Sequence, residues 1–185
     1  MALRSTIHKA DLSVADIDRN HYADHSLTLA RHPSETEERL MVRLVAFVLH
    51  ADERLTPAGG LSTEDEPDFW RLDDTGSIQQ WIQVGLPDER LLRKASGRSD
   101  EVVLVTYGGR KAEVWRQDNA AALARLSKLT VWYLPEDGCE ALLALVERTM
   151  RLGATIQDGH LLLAGEKGSV EITPVLWQRR DDGRR

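Results

Sequence analysis

Asp68-Phe69-Trp70-Arg71-Leu72 begins the stretch that decides the fold of this chain, and Ile78–Val84 follows it after the turn-forming cluster Asp73-Asp74-Thr75-Gly76. Two short apolar runs on either side of such a cluster predict a β-hairpin. Pro87 favours the first turn of a helix after the hairpin, and residues 101–107 form a nearly continuous apolar run, typical of a buried central strand. Strand, helix and strand in this order predict a parallel pair of strands with a right-handed crossover.

The region before the hairpin predicts strands followed by one helix. Near-alternating aliphatic and β-branched side chains predict strands at residues 3–10, 12–17 and 26–30, which form either an antiparallel edge or a small separate sheet. Ser34 is predicted to cap a helix, with Glu37 reaching back to the cap, and helically spaced apolar residues continue to about Asp52. This amphipathic helix is expected to pack on the core.

The region after residue 107 predicts further strands and helices. Strands are expected at residues 112–115 and 130–134, helices at 118–126 and from Pro135 to about Met150, and a meander at 154–177. Residues 178–185 are polar and predicted to be a disordered tail. Together these elements predict an α/β (α+β) fold, a mixed β-sheet flanked by helices, in one domain spanning residues 1–177.

Composition limits the classes of protein that fit. The 185 residues, 42% of them hydrophobic, are enough for one domain with a substantial core. Neither a membrane-spanning apolar segment nor a signal peptide is recognisable, so a cytoplasmic protein is expected. The single Cys139 excludes an internal disulfide and a multi-cysteine zinc site, and packing is its expected role. The net charge of −6 means that any binding of nucleic acid requires a local basic patch.

The hairpin and the helix after it carry residues that suit metal-assisted hydrolysis. A divalent cation that activates water against a phosphodiester needs hard oxygen ligands and, nearby, an ammonium group. Asp68 and Lys94 match two of these roles, whereas Gln83 stands where a second acid is expected. An amide oxygen can still bind a cation, although it contributes no charge.

The order helix, strand, strand, helix, strand resembles the core of the PD-(D/E)XK nuclease superfamily, a mixed sheet flanked by helices with the catalytic cation at one edge. More specifically, the chain resembles the YaeQ family from end to end. The segments that carry this resemblance are residues 30–36 (ARHPSET), 51–55 (ADERL), 85–90 (GLPDER), 131–134 (VWYL) and 154–159 (ATIQDG). The family name supplies no substrate.

The resemblance to the superfamily implies a role for individual residues. It places Asp68 at the metal-binding acid and Gln83 at the following acidic position, while Gly85 occupies the position of the usual lysine. A lysine from the next helix can replace that residue in the superfamily, which makes Lys94 the candidate. An acid from the first helix often completes such a site, and Glu38 is the choice here.

The predicted ligands of a Mg²⁺ ion are therefore Asp68, Gln83 and Glu38, and Glu35 is the alternative acid on the first helix. Each of these residues also has a structural interpretation. Pro67-Asp68 can simply open a strand, and Gln83 can be an ordinary outward-facing residue. Glu38 can form an ion pair with Arg39 or Arg43 on the helix surface.

Arg90, Lys94 and Arg98 recur every four residues on the helix after the hairpin. They predict a phosphate-binding patch, or else a solvated face whose charges complement the helix dipole. Two hypotheses follow: a Mg²⁺-dependent nuclease acting on DNA or RNA, and a catalytically inactive nuclease-fold module that binds nucleic acid or a protein partner. His21 and His25 have the spacing of two ligands on one helical face, but no third zinc ligand is recognisable.

Overall fold

The structure, a computed structural model, describes residues 3–59, 63 and 65–183 and contains two mixed β-sheets. The strands are β1 (Thr6–Asp16), β2 (His21–Arg31), β3 (Leu55–Pro57), β4 (Phe69–Leu72), β5 (Ile78–Val84), β6 (Ser99–Thr106), β7 (Leu129–Tyr133), β8 (Thr149–Gln157), β9 (His160–Gly165), β10 (Gly168–Ile172) and β11 (Val175–Gln178). The helices are α1 (Glu37–Leu49), α2 (Glu89–Arg98), α3 (Arg110–Asp118), α4 (Ala120–Ala124) and α5 (Glu136–Leu142). The predicted mixed α/β class is confirmed.

The five-stranded sheet joins the two ends of the chain in the order β10-β9-β8-β1-β2. The predicted strands at residues 3–10 and 12–17 are one strand, β1, since alternate residues from His8 to Asp16 are buried without interruption. This strand pairs antiparallel with β2 and parallel with β8. The predicted N-terminal strands therefore belong to a separate sheet, which β8, β9 and β10 of the predicted C-terminal meander complete. The meander prediction was wrong for its last strand, since β11 crosses to the other sheet and pairs with β7.

The six-stranded sheet has the order β11-β7-β6-β5-β4-β3. Strands β4 and β5 form the predicted hairpin, and Asp73 accepts hydrogen bonds from Thr75 and Ser77 in the turn between them. The predicted crossover is confirmed, because β5 and β6 are parallel and α2 connects them. Strand β7 is parallel to β6, so three neighbouring strands end at the same edge of this sheet.

Helix α1 lies between the two sheets and is buried along most of its length. All residues from Arg39 to Val48 are buried, and their apolar side chains share one core with both sheets and α5. The predicted cap was wrong by two residues, because the hydroxyl of Thr36, not that of Ser34, accepts from the backbone N–H of Arg39 at 3.1 Å. On the other face of the six-stranded sheet, α2 and α4 cover a second, smaller core.

Two predictions after residue 107 were wrong. Residues 112–115 form part of helix α3 instead of a strand. Ala112 is buried at helical spacing from Trp115, whose indole donates to the carbonyl of Pro87 at 2.9 Å. The helix predicted from Pro135 to about Met150 ends much earlier: α5 gives way to a 3₁₀ turn at Leu143–Leu145, and Val146 is extended.

The chain end was predicted to be disordered from residue 178. Gln178 is the last residue of β11, and its amide donates to the carbonyl of Leu123 at 2.9 Å. The backbone N–H of Asp181 donates to the carbonyl of Ser127 at 2.7 Å, and residues 184–185 lie outside the described part. Within the described residues, no helix is long and apolar enough to cross a membrane.

Candidate functional site

The carboxyl ends of β5, β6 and β7 lie side by side along one edge of the six-stranded sheet. The N-terminal half of α1 reaches the same edge, since a guanidinium nitrogen of Arg39 donates to the carbonyl of Val84 at 3.2 Å. Ligands of open α/β sheets bind outside the carboxyl ends of the parallel strands. A ligand of this sheet is therefore expected at this edge.

Asp68 is completely buried immediately before β4. Its two carboxylate oxygens accept from Nη2 of Arg39 at 3.0 and 3.1 Å, and Oδ2 also accepts from the backbone N–H of Val84 at 2.8 Å. The Nε of Arg43 lies 3.4 Å from Oδ1. The predicted metal ligand thus has both oxygens occupied by cationic or backbone partners.

Glu35 completes a buried ion network around Asp68. Its carboxylate accepts from Nη1 of Arg39 at 2.9 Å and from Nη1 of Arg43 at 3.1 and 3.2 Å. Two carboxylates and two guanidinium groups balance in charge. This network joins the end of β2 to both strands of the hairpin through α1, because Arg43 also donates to the carbonyl of Ala30.

Arg39 keeps its charge in this network. Burial alone would lower the pKa of Arg39, but Asp68 and Glu35 raise it by more, so the pKa lies above its ordinary value. A buried carboxylate that loses such a partner is left uncompensated. A cation at Asp68 would therefore have to displace Arg39.

Gln83 faces the side of the sheet opposite to α1. Its neighbours in β5, Ile82 and Val84, belong to the core that contains α1, whereas Trp81 packs against α2 in the second core. Successive side chains of a strand point to opposite faces, and the indole of Trp81 donates to Oε1 of Gln83 at 3.2 Å. Asp68, which contacts Arg39 on α1, and Gln83, which faces α2, therefore lie on opposite sides of the six-stranded sheet.

Glu38 lies on the partly exposed side of α1, near two acids of α5. Burial raises the pKa of its carboxyl, and Glu140 and Glu136 raise it further by repulsion. A Cβ on Gly109 would collide with the carboxylate of Glu136, and the φ of Gly109 is +56°. This position therefore favours glycine, and Glu136 lies against the loop after β6.

Lys94 forms an ion pair with Asp65 on the exposed side of α2. Arg98 donates to the backbone carbonyl of Asp65 at 2.7 Å, and its guanidinium lies 5.4 Å from the centre of the Trp81 ring. A groove of about 440 Å³ beside Lys94 is lined by Asp65, Asp88, Arg90 and Leu91. Lys94 thus belongs to a surface groove and has no contact with the buried Asp68 network.

The structure does not bring Glu38, Asp68, Gln83 and Lys94 together. Among the residues that the structure describes, no group of three or more His, Cys, Asp or Glu side chains is arranged to hold a metal ion. The three predicted Mg²⁺ ligands have different surroundings: Asp68 is paired with Arg39, Gln83 faces α2, and Glu38 is near α5.

The sequence interpretation assigned no site role to Arg39 and Arg43. Both lie at core positions of a helix whose other core residues are apolar, and both follow Glu35 at spacings that allow contact on one helical face. A charged residue within an apolar helical stripe is the signal that could have found them. Cys139 is buried as predicted, and burial, with Glu38 and Asp137, raises the pKa of its thiol to about 12.

Residues 1–174 match the family model described as "YaeQ protein". The "Uncharacterized protein YaeQ" of Escherichia coli strain K12 is 48% identical over 179 residues, which cover 97% of this chain and 99% of that protein. The protein of the same name from Salmonella typhi is 47% identical over the same shares of both chains.

Two solved structures have the same fold over nearly the whole chain. The YaeQ protein of Xanthomonas axonopodis pv. citri is 50% identical, with a TM-score of 0.91 over 94% of this chain and 98% of that one. The YaeQ protein of Pseudomonas syringae is 32% identical, with a TM-score of 0.90 over 95% of this chain and 97% of that one. The chain belongs to the YaeQ family.

Proposed function

We propose that this protein is a nuclease-fold module that binds nucleic acid without hydrolysing it. The observation that carries the proposal is the pairing of Asp68, at 0% exposure, with Arg39 at 3.0 and 3.1 Å. The acid in the position of a catalytic metal ligand thereby has a structural role. A cation would have to compete with a guanidinium that is itself buried and held by Glu35.

The order of elements supports assignment to the PD-(D/E)XK fold. Helix α1, the hairpin of β4 and β5, helix α2 and the parallel strand β6 follow one another as helix, strand, strand, helix, strand. In that arrangement the expected cation lies at one edge of the sheet, between the first helix and the hairpin. In this chain, the four charges of the Glu35, Arg39, Arg43 and Asp68 network occupy that place.

The excess of cations in the segment that contains α2 supports phosphate binding. Residues 87–128 carry nine Lys and Arg against six Asp and Glu, although the whole chain has a net charge of −6. Within this segment, Arg90 and Lys94 line the groove on α2, and Arg90 is exposed. Asp65 and Asp88 line the same groove, and Asp65 is paired with Lys94, so a phosphate would have to displace Asp65 from Lys94. Because Lys and Arg bind the phosphate backbone whatever its sequence, the proposed ligand is the backbone of DNA or RNA.

The test is a binding measurement with fluorescently labelled single-stranded and duplex DNA and RNA at salt concentrations from about 50 to about 200 mM. Wild-type protein is expected to bind one of these ligands and to lose affinity as salt rises. The slope of the logarithm of the binding constant against the logarithm of the salt concentration falls in magnitude by about one for each phosphate contact that is lost. The variant Arg90→Glu/Lys94→Glu is therefore expected to reduce this slope by about two. Lys9→Glu is the matched control, since Lys9 is exposed on the other sheet.

Equal binding by the wild type and the double variant contradicts the assignment of the α2 surface. Failure to bind any of these nucleic acids at the lowest salt concentration overturns the proposal and leaves a protein partner as the alternative. If the protein cleaves nucleic acid in a reaction that requires Mg²⁺, stops with EDTA and is lost in Glu38→Gln, the proposal that it does not hydrolyse its ligand is overturned. That last result would support the nuclease hypothesis.

A further inference from the structure

A cavity of about 220 Å³ lies at the C-terminal end of α1, between the two sheets. Its walls include His50 at the end of the helix, Trp132 of the six-stranded sheet and Ile156 of the five-stranded sheet. Arg39 of the buried ion network and His50 are 11 residues apart, which is about 16 Å along a helix. The groove on α2 lies beyond the opposite face of the six-stranded sheet. The cavity is therefore separate from the proposed nucleic-acid surface.

The charged side chains that line the cavity are already engaged. Nε of Arg19 donates to Asp16 at 2.6 Å, and Nη1 of Arg19 donates to the carbonyl of Ala51 at 3.1 Å. Asp18 accepts at 2.8 Å from two backbone N–H groups of the turn between β8 and β9. These bonds hold the walls in place before any ligand arrives, which lowers the cost of binding one. Because the carboxylates have partners, the cavity suits an uncharged molecule.

The imidazole of His50 is a polar part of the lining that lacks a partner. Its Nε2 is buried and makes no hydrogen bond within the part of the chain that the structure describes. Burial lowers the pKa of His50 to about 4, so the ring is neutral near pH 7 and offers one donor and one acceptor. The broad torsion about the Cβ–Cγ bond of histidine allows a ring nitrogen to turn to a ligand. A ligand with a hydrogen-bonding group therefore fits beside this ring.

Apolar and aromatic side chains set the shape of such a ligand. Leu49, Ile156 and Pro174 supply apolar walls, and the indole of Trp132 supplies an aromatic one. An apolar cavity of about 150 Å³ holds a benzene molecule, so the present cavity has room for one ring with a small substituent. A flat ring can pack on the indole in the offset or edge-on arrangements that aromatic pairs prefer.

We infer that this cavity binds a small uncharged aromatic molecule of the phenol class, whose hydroxyl group bonds to the imidazole of His50 and whose ring packs against Trp132 and Ile156. Apolar walls with a few well-placed polar groups are typical of small-molecule sites. Water fits less well, since a buried water needs about 2–4 polar partners and Asp16 and Asp18 are engaged. The inference does not depend on the proposed function.

The experiment titrates isotope-labelled protein with phenol and, separately, with toluene, and follows the amide and indole N–H signals by NMR. The two probes have the same size and differ only in a hydroxyl against a methyl group. The wild type is expected to bind one phenol with a dissociation constant on the order of 1 mM, within the range open to a ligand of seven non-hydrogen atoms. The signals of the Trp132 indole and the Gly159 backbone should shift, because both residues line the cavity.

His50→Leu removes the hydrogen-bonding ring and keeps an apolar side chain in its place. Because one hydrogen bond makes a modest net contribution, phenol should bind about 2–10-fold more weakly to this variant. Toluene should bind it no more weakly than it binds the wild type. His32→Leu is the matched control, since His32 is a half-buried histidine before the other end of α1. It should leave the affinity for both probes unchanged.

Ile156→Phe fills part of the cavity and should weaken binding of both probes. Val114→Phe is its matched control, because Val114 lines the groove on α3 and is 44% exposed. Circular dichroism checks that each variant is folded. A cavity that holds only water predicts no saturable binding of phenol by the wild type, and that result overturns the inference. Equal phenol binding by the wild type and Ile156→Phe overturns the site, and an unchanged ratio of phenol to toluene affinity in His50→Leu overturns the ligand class.

Discussion

A single guanidinium nitrogen, Nη2 of Arg39, lies 3.0 and 3.1 Å from the two carboxylate oxygens of Asp68 and 3.2 Å from the carbonyl of Val84. The same carboxylate accepts from the backbone N–H of Val84. Arg39 and Asp68 therefore clamp helix α1 onto both strands of the hairpin. The contact fixes the place where α1 crosses the sheet.

Asp68→Asn is expected to destabilise the fold strongly, because it leaves Arg39 and Arg43 buried with one carboxylate for two positive charges. Breaking a buried ion pair on one side costs about 3–5 kcal/mol. The free energy of unfolding in urea measures this effect. Asp74→Asn is the control and should change little, since the Asp74 side chain is 90% exposed.

A double-mutant cycle separates the ion pair from the burial of each group. Arg39→Met is expected to destabilise the protein on its own, whereas Asp68→Asn/Arg39→Met should cost less than the sum of the two single changes. Additive effects would contradict direct coupling between Asp68 and Arg39. Circular dichroism of each variant before unfolding confirms that the native state is being compared.

The sequence predicted the hairpin, the crossover and the central strand, because each has a local signal. The turn cluster after Leu72, the proline before α2 and the apolar run in β6 act over a few residues. Helix α3 was mistaken for a strand because its short sequence carries only two apolar anchors at helical spacing, Ala112 and Trp115. The bond from Trp115 to Pro87 that helps to fix it joins residues distant in sequence.

The candidate site was less predictable for the same reason. The motif located Asp68, but the identity of its partners depends on how α1 crosses the hairpin. A sequence position says nothing about whether the nearest group is a cation from solvent or the guanidinium of Arg39. Likewise, strand alternation places Gln83 on the face of β5 opposite to Ile82 and Val84. That this face packs against α2 depends on where α2 lies in the folded protein, which the sequence of β5 does not specify.

Gln83→Glu restores the acid that the motif expects and is predicted not to create Mg²⁺-dependent cleavage. The new carboxylate would lie 9% exposed beside Trp81, on the face away from Asp68. Its burial should raise its pKa, so the variant should be destabilised by about 1–3 kcal/mol at neutral pH and by less near pH 4. Urea unfolding at the two pH values and a nuclease assay with Mg²⁺ measure these effects. Cleavage gained by this variant would contradict the assigned orientation.

Stability should fall when the solution is acidified from about pH 6.5, partly because of His50. Burial, with Arg19 and Arg71, lowers the pKa of His50 from 6.5 to about 4, although Asp16 opposes this shift. Its Nε2 is buried without a hydrogen-bond partner among the described residues. Because the unfolded chain binds the proton more tightly than the folded one, stability is lost as the pH falls through this window.

The variant His50→Leu tests this origin. The cavity beside His50 is lined by the apolar Leu49, Trp132 and Ile156 as well as by Asp16 and Arg19, which are paired with each other, so leucine meets apolar neighbours there without breaking that ion pair. Urea unfolding at about pH 7 and about pH 5 is compared for wild type and variant. As the pH falls, the free energy of unfolding of the wild type should drop by up to about 1.4 kcal/mol per pH unit more than that of the variant. The same pH dependence in both proteins would show that His50 does not cause it.

Glu38→Gln is expected to stabilise the protein slightly at neutral pH. Burial, Glu140 and Glu136 hold the pKa of Glu38 above its ordinary value of 4.5, so its charged form is disfavoured in the folded state. The wild type therefore loses stability as the pH rises above that value, and glutamine avoids this loss. The gain should disappear near pH 4, where the carboxyl is protonated in both states. Glu37→Gln is the control on the same turn of α1, because Glu37 is exposed. A stability gain that persists unchanged at pH 4 would show that it does not come from removing the charge of Glu38.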